Sequence, residues 1–159
     1  MARQKEKYRN AVIPTATEIE ELRRKAKAEL PVRLSELAQR YGFAYNRVAI
    51  KHNATNWGSC SSKGNINLNL NIVRLPLILQ DYVLLHELCH LRHHDHGHAF
   101  HLLLEHVLTD NLLKLMSDEG LSDADRTIVG EVARRSAVSK ARYPLDYTIT
   151  RLVKQYSII

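Results

Sequence analysis

Residues 86–101 read HELCHLRHHDHGHAFH, and this stretch contains seven of the nine histidines in the 159-residue chain. His86 and His90 are four positions apart, so on a helix their imidazoles lie on one face, one turn apart. Both rings can then reach one zinc ion, which binds imidazole nitrogen at about 2.0–2.1 Å. Glu87 is rotated by about 100° from His86 around such a helix. It can therefore stand beside a metal-bound water without binding the metal, as the general base of a metal-assisted hydrolysis.

A third protein ligand is needed to hold the zinc, and it must come from beyond this helix. His93 shares the face of His86, but the two lie about 10 Å apart along the helix axis, too far to meet at one ion. His96 is the best-placed candidate, provided that the helix ends around Arg92–Asp95. The sequence HHDHG, which ends at Gly97, contains the poor helix formers that such an end requires. We therefore predict His96 as the third ligand of one zinc ion per chain.

Other side chains compete for the third position. A downstream glutamate is the third ligand in some zinc peptidases with an HExxH motif, and Glu105 and Glu119 are available here. His96 reaches the ion more easily than either of them. His98 and His101 are predicted to lie on the next helix and are weaker candidates.

A strand with one buried face is predicted for residues 65–71, where asparagine alternates with isoleucine and leucine. The turn sequence SSKG precedes it, so residues 56–60 should pair with it as a hairpin. Residues 47–51 are predicted as a further short strand. The polar face of 65–71, which includes Asn67 and Asn69, could align a substrate or accept an extended peptide as an added strand. The alternative is an ordinary solvated strand face.

Helices are predicted on both sides of these motifs. The sequence LILQDYVLLHELCHLRH is apolar nearly all round, which is typical of a central buried helix. Before the hairpin, Thr17 and Glu20 resemble a capping box, Pro31 should kink or restart the helix, and Gly42 should end it. Near the C-terminus, Ser122 is predicted to cap another helix. Three tyrosines are candidate donors to an oxyanion, and the sequence does not choose among them: Tyr82, Tyr143 and Tyr147.

The composition is that of a soluble globular protein, with 45% apolar residues, 25% charged residues and a net charge of +6. No apolar stretch approaches the roughly 18 residues of a membrane helix. The N-terminal MARQKEKYRN lacks the apolar core of a secretory signal, so we expect a cytoplasmic protein with no membrane partner. Residues 1–51 carry 12 basic and 6 acidic residues, which favours at most weak, salt-dependent contact with DNA. Cys60 and Cys89 form no disulfide framework and are predicted to pack as small apolar residues.

Two separate motifs together resemble a known family. They are WGSCSSKGNINLN, residues 57–69, and DYVLLHELCHLRHHDHGHAF, residues 81–100. In this order and at this distance they are similar to the YgjP-like predicted metal-dependent hydrolases, relatives of the SprT-like zinc metallopeptidases in the zincin superfamily. The resemblance covers about residues 20–108 of this sequence.

The resemblance implies three zinc ligands and one catalytic glutamate: His86, His90, His96 and Glu87. It also implies a structural aromatic residue at Phe100. Four residues of the predicted hairpin would lie beside the substrate cleft: Trp57, Gly58, Ser59 and Cys60. An aromatic residue often follows Phe100 in the family, whereas this chain has His101, and residues 118–159 lie outside the resemblance.

We therefore predict an α+β, zincin-like fold, in which a small antiparallel β-sheet packs on the central HExxH helix with flanking helices. Residues 1–16 should be a flexible tail, residues 17–117 a zincin-like metallopeptidase domain, and residues 118–159 a C-terminal helical extension of unknown role. The predicted function is that of a zinc metallopeptidase acting on a peptide or protein. The alternatives are a zinc-binding adaptor on DNA or a protein complex without turnover, and a zinc hydrolase of a non-peptide bond.

Overall fold

Between residues 13 and 159, the part of the chain that the computed structural model describes, the chain forms five helices and a small three-stranded sheet. The helices are α1 (Ala16–Tyr41), α2 (Leu77–Cys89), α3 (His98–Met116), α4 (Asp123–Val138) and α5 (Pro144–Val153). The strands are β1 (Arg47–Lys51), β2 (Gly58–Cys60) and β3 (Asn65–Asn69), and a 3₁₀-helix, Leu70–Arg74, follows β3. The predicted α+β class is confirmed. Most of the predicted tail, residues 1–16, lies outside the described residues.

Helix α2 is buried on nearly every side, as its apolar sequence predicts. Nine of its thirteen residues are buried, and Leu84, Leu85 and Leu88 are fully enclosed. The helix ends at Cys89, earlier than the predicted end around Arg92–Asp95. A turn follows in which backbone N–H groups bond to carbonyls three residues back. The chain therefore has room to reverse before α3 begins.

The cap of α1 lies two residues before the predicted one. The Thr15 side chain accepts a hydrogen bond from the Glu18 N–H at 3.1 Å, so the capping box predicted at Thr17 and Glu20 is wrong. Both threonines offer the same capping chemistry, and the sequence pattern does not distinguish them. The predicted C-terminal glycine is confirmed, since Gly42 has a φ of 73° and its N–H bonds back into the helix.

Pro31 does not restart α1, so this part of the prediction is wrong. The helix runs through it without interruption, although an interior proline removes one backbone hydrogen bond and costs about 3 kcal/mol. Leu30, Leu34 and Leu37, on both sides of the proline, are fully buried. Burial of each such side chain contributes about 1.5–3 kcal/mol, which offsets the cost of the proline.

The sheet has the strand order β1-β3-β2 and is mixed rather than wholly antiparallel. Strands β2 and β3 pair antiparallel, which confirms the predicted hairpin. Strand β1 pairs parallel with β3. The short segment 52–57 reverses the chain between β1 and β2, and the hairpin reverses it again. Strand β3 therefore runs in the direction of β1.

The expectation that the 65–71 strand could accept an added peptide strand is wrong. Strand β3 is the central strand, and β1 and β2 occupy both of its edges. It is also shorter than predicted, because the Asn69 side chain accepts from the Asn71 N–H and starts the 3₁₀-helix. Strand β2 is an edge strand of this sheet.

A buried ion pair joins the first three helices. Asp81 of α2 is fully buried and accepts from the Arg33 guanidinium of α1 at 2.7 and 2.8 Å. It also accepts from the Asn111 amide of α3 at 3.0 Å. These donors compensate a carboxylate that would otherwise be costly to bury.

The C-terminal residues pack against the domain as helices α4 and α5. Ser122 caps α4 by accepting from the Asp125 N–H at 3.1 Å, as predicted. The Glu105 carboxylate of α3 accepts from the Leu145 and Asp146 N–H groups at 2.7 and 3.0 Å. This contact ties the N-terminus of α5 to α3. None of the helices within the described residues combines the length and the apolar character needed to cross a bilayer.

Candidate metal centre

Three imidazoles converge where α2 ends and the chain returns toward α3. His86 lies on α2, His90 caps its C-terminus, and His96 comes from the following turn. The Nε2 atom of His96 lies 3.0 Å from Nε2 of His90 and 3.3 Å from Nε2 of His86. Ligands at zinc–nitrogen distances of about 2.0–2.1 Å in a tetrahedron are about 3.3 Å apart. The nature and spacing of these donor atoms therefore fit a zinc ion.

The His90 ring is oriented by a hydrogen bond on the side away from the cluster. Its Nδ1 lies 2.9 Å from the backbone carbonyl of His93. A carbonyl only accepts, so Nδ1 carries the proton and the Nε2 lone pair is left for a metal. His93 thus contributes its backbone carbonyl to the site, by orienting the His90 ring.

Phe100 forms the floor beneath the three rings. It is fully buried, and its ring centroid lies 5.0 Å from that of His86, 4.4 Å from that of His90 and 5.1 Å from that of His96. The His86 ring also packs against Tyr82 at 5.8 Å. The Nδ1 atom of His86 is buried without a hydrogen-bond partner among residues 13–159, so packing holds this ring.

Burial keeps two of the imidazoles neutral. For His86, desolvation and then the neighbouring histidines lower the pKa to about 4. The pKa of His90 is also lowered, mainly by burial. Neutral imidazole is the form that binds a metal, so both rings are ready to bind one near neutral pH.

Glu87 is held in a narrow space between α2 and β2. The residue is 6% exposed, and burial raises the pKa of its carboxyl to about 7. A Cβ atom at Gly58 of β2 would lie only 3.1 Å from Cγ and Oε2 of Glu87. The absence of a side chain at Gly58 is what lets the strand approach the carboxylate. A cavity of about 240 Å³ opens beside them, and its walls include Trp57, Tyr82 and Val153.

The remaining hairpin residues lie at different distances from this cleft. Ser59 is exposed on β2, and its hydroxyl accepts from the Asn67 amide at 3.3 Å. Cys60 is half-buried at the end of β2. Asn69 is 1% exposed, and its amide donates to two carbonyls of the 53–56 loop at 3.0 and 2.9 Å. Asn69 therefore supports the loop that precedes Trp57.

The rival ligands are placed elsewhere. Glu105 is hydrogen-bonded to the N-terminus of α5, and Glu119 is exposed beyond α3. His98 contacts the Tyr143 hydroxyl, and the His101 Nδ1 lies 2.9 Å from the Asp146 carboxylate. The metal-ligand group found among the described residues consists of His86, His90 and His96.

Asp146 is the residue beside the site that sequence reasoning missed. Its Oδ1 accepts from the Tyr82 hydroxyl at 2.7 Å, and Thr150 lies within hydrogen-bonding distance of both groups. Burial raises the pKa of Tyr82, which keeps its hydroxyl protonated as the donor. Nothing in the sequence indicates this contact, because Tyr82 and Asp146 are 64 positions apart. An acidic residue in the first turn of a helix is also common, since it interacts favourably with the helix dipole. Tyr147, by contrast, is 51% exposed on α5.

Comparisons with known proteins identify the family to which this chain belongs. Residues 4–113, more than half of the chain, match the family model described as YgjP-like, metallopeptidase domain. No curated protein matches the chain. One similar solved structure is described as "Crystal structure of the metallopeptidase zymogen of Pyrococcus abyssi abylysin". It has 22% sequence identity and a TM-score of 0.44, and the similarity covers 55% of this chain and 92% of that one. The chain belongs to the YgjP-like family, and the three-histidine cluster lies in its metallopeptidase domain.

Proposed function

We propose that this protein is a zinc-dependent peptidase that uses Glu87 as its general base. The proposed ligands of its single zinc ion are His86, His90 and His96. The observation that carries the proposal is the convergence of three imidazole nitrogens, 3.0 and 3.3 Å apart, beside a buried carboxylate on the same helix. A metal site with three protein ligands leaves a fourth position for chemistry, which distinguishes it from a closed structural site.

The division of labour follows from the positions of the side chains. Zinc held by the three imidazoles would supply Lewis-acid activation of water and of the substrate carbonyl. Glu87 accepts the proton of the attacking water and returns it to the leaving amine nitrogen. Gly58 and the wall of the narrow cleft keep the carboxylate in one place. The Phe100 ring packs against all three imidazole rings and holds them in their relative positions.

The shape of the cleft favours a polypeptide substrate. Strand β2 forms one wall and is an edge strand of the described sheet. An extended peptide can pair with such an edge through backbone hydrogen bonds. Paired along Gly58–Cys60, a substrate would run past Glu87, because Gly58 lies against that carboxylate. Trp57, which is half-buried, provides an apolar surface at the start of this strand.

Glu87→Gln tests the proposal, because it keeps the shape of the side chain and removes the base. We expect this variant to bind one zinc per chain while hydrolysis of an unstructured protein falls by about 10²–10⁴-fold. Zinc is measured by elemental analysis and cleavage by peptide mass spectrometry. The matched control is Glu119→Gln, which changes an exposed glutamate and should leave both values unchanged.

Two results would contradict the proposal. Cleavage by Glu87→Gln at the native rate would remove this residue from the mechanism. A native protein that binds zinc and cleaves neither peptides nor proteins would instead indicate an adaptor, or a hydrolase of another bond.

A further inference from the structure

A second cavity adjoins the cleft of the metal centre. It has a volume of about 490 Å³ and lies against α5 and the segment that precedes this helix. Tyr82 lines both this cavity and the cleft beside Glu87, so its side chain forms part of the wall of both spaces. We call it the basic cavity and define it by six of its lining residues: Tyr82, His101, Arg142, Tyr143, Arg151 and Lys154.

The charge around the basic cavity is strongly one-sided. Residues 134–154 contain six lysines and arginines but one acidic residue, Asp146. The Asp146 carboxylate is already occupied by the Tyr82 hydroxyl and the His101 ring. Three cations at the cavity form no salt bridge with any residue from 13 to 159: Arg142, Arg151 and Lys154. An anionic ligand would find three charges there that need no existing ion pair to be broken.

We propose that the basic cavity binds an acidic segment of the polypeptide substrate, next to the bond that is cleaved. This inference rests on the proposed peptidase function. A peptide in the cleft that continues past Tyr82 enters the basic cavity, where its carboxylates meet Arg142 and Arg151. Arginine binds carboxylates through paired hydrogen bonds, so the cavity selects the sequence on one side of the scissile bond.

The aromatic residues of the cavity favour a peptide over a single-stranded nucleic acid. Nucleic-acid sites of this kind offer open aromatic faces on which bases stack. Here the Tyr143 ring is stacked on His101 at 4.9 Å, and the Arg142 guanidinium lies 5.6 Å from its centroid. The Arg151 guanidinium lies 5.4 Å from the Tyr147 centroid. Two neighbouring side chains thus cover the Tyr143 ring, and the Arg151 guanidinium lies over the Tyr147 ring, so the cations are the main recognition element.

Binding of labelled peptides to the zinc-loaded Glu87→Gln protein tests the proposal without turnover. The probe is a fluorescent peptide with a run of glutamates, and its reference is the same peptide with glutamines. We expect Arg142→Glu and Arg151→Glu each to weaken binding of the acidic peptide about tenfold, with little effect on the reference. Arg151→Lys keeps the charge but loses the paired hydrogen bonds, so its affinity should lie between those of the native protein and Arg151→Glu.

The matched control is Arg134→Glu, which makes the same charge change at an exposed position of α4 that does not line the cavity. An equal loss of affinity in this control would overturn the proposal, since diffuse charge would then explain the binding. The proposal would also fail if a single-stranded oligonucleotide lost affinity in Arg151→Glu while the acidic peptide did not.

Cleavage by the native protein separates this inference from the proposed function. Cleavage of peptides with no preference for the acidic one would contradict the proposed role of the basic cavity and leave the proposed peptidase function intact. Arginine-dependent binding of the acidic peptide, with no cleavage of any peptide, would support the binding site and contradict the proposed peptidase function. If both hold, Arg151→Glu should raise KM for the acidic peptide and leave kcat unchanged.

Discussion

Gly58 shows how a residue without a side chain shapes the candidate site. A Cβ atom there would lie 3.1 Å from Oε2 of Glu87 and 3.2 Å from the backbone oxygen of Asn67. The strand cannot move away from Asn67 without breaking the hairpin, so the carboxylate would have to give way. Control of Glu87 thus depends on a neighbour on another element.

Gly58→Ala should therefore reduce hydrolysis while it spares the metal site. We expect native zinc content and a fall in kcat of about 10²-fold, since a displacement of about 1 Å at a catalytic group can cost that much. The control is Ser59→Ala, in the same strand but exposed. Native activity in Gly58→Ala would show that Glu87 tolerates the displacement or does not act as the base.

The histidines of the cluster should differ sharply in their contribution to zinc binding. His96→Ala should lose zinc, because two remaining imidazoles hold the ion poorly. His94→Ala, two positions away and exposed, should keep it. Competition with a chromogenic chelator gives both affinities. A His96→Ala protein that retains its zinc would reopen the choice of third ligand.

At the scale of elements, α5 contacts the candidate cleft beside Glu87 although this helix lies beyond the matched residues 4–113. Val153 lines the cleft, and Asp146 holds the Tyr82 hydroxyl. The helix begins where Glu105 accepts two of its N–H groups. A carboxylate at a helix N-terminus accepts hydrogen bonds from the otherwise unpaired N–H groups and interacts favourably with the positive end of the helix dipole.

Glu105→Gln should destabilise the protein without removing zinc. The amide keeps one acceptor but loses the charge and turns donors toward the helix end, at a cost of about 1–2 kcal/mol. Urea unfolding measures this free energy, with Glu119→Gln as the exposed control. Loss of zinc from a folded Glu105→Gln protein would favour the rival ligand assignment.

At the scale of the whole molecule, one buried carboxylate holds three helices in register. Asp81 is fully enclosed, and its partners Arg33 and Asn111 come from α1 and α3. The Arg33 side chain is partly exposed to solvent, whereas that of Asp81 is not. The arrangement fixes how α2 is presented, and therefore where its histidines point.

Arg33→Ala should lower the free energy of unfolding by about 3–5 kcal/mol, because it leaves the Asp81 charge buried and unpaired. Chemical denaturation measures the loss. The double variant Arg33→Met with Asp81→Leu should recover much of it, since no buried charge remains. A single variant as stable as the native protein would mean that water or another residue replaces the guanidinium.

Local patterns in the sequence determined the parts of this fold that neighbours along the chain control. The apolar run predicted α2, and alternation with a turn predicted the β2–β3 hairpin. The Ser122 side chain predicted the start of α4, and Gly42 predicted the end of α1. The four-residue spacing placed His86 and His90 on one helical face. Each of these depends on helix or strand periodicity, which a few residues specify.

Only the tertiary structure decided what depends on partners far apart in the chain. The parallel pairing of β1, the passage of α1 through Pro31 and the central position of β3 follow from packing. Packing also brings Gly58 against Glu87 and Asp146 against Tyr82. Such contacts form because burial and hydrogen bonding over the whole molecule outweigh the conformational entropy lost by the intervening chain. They leave no pattern among neighbouring residues from which they could be predicted.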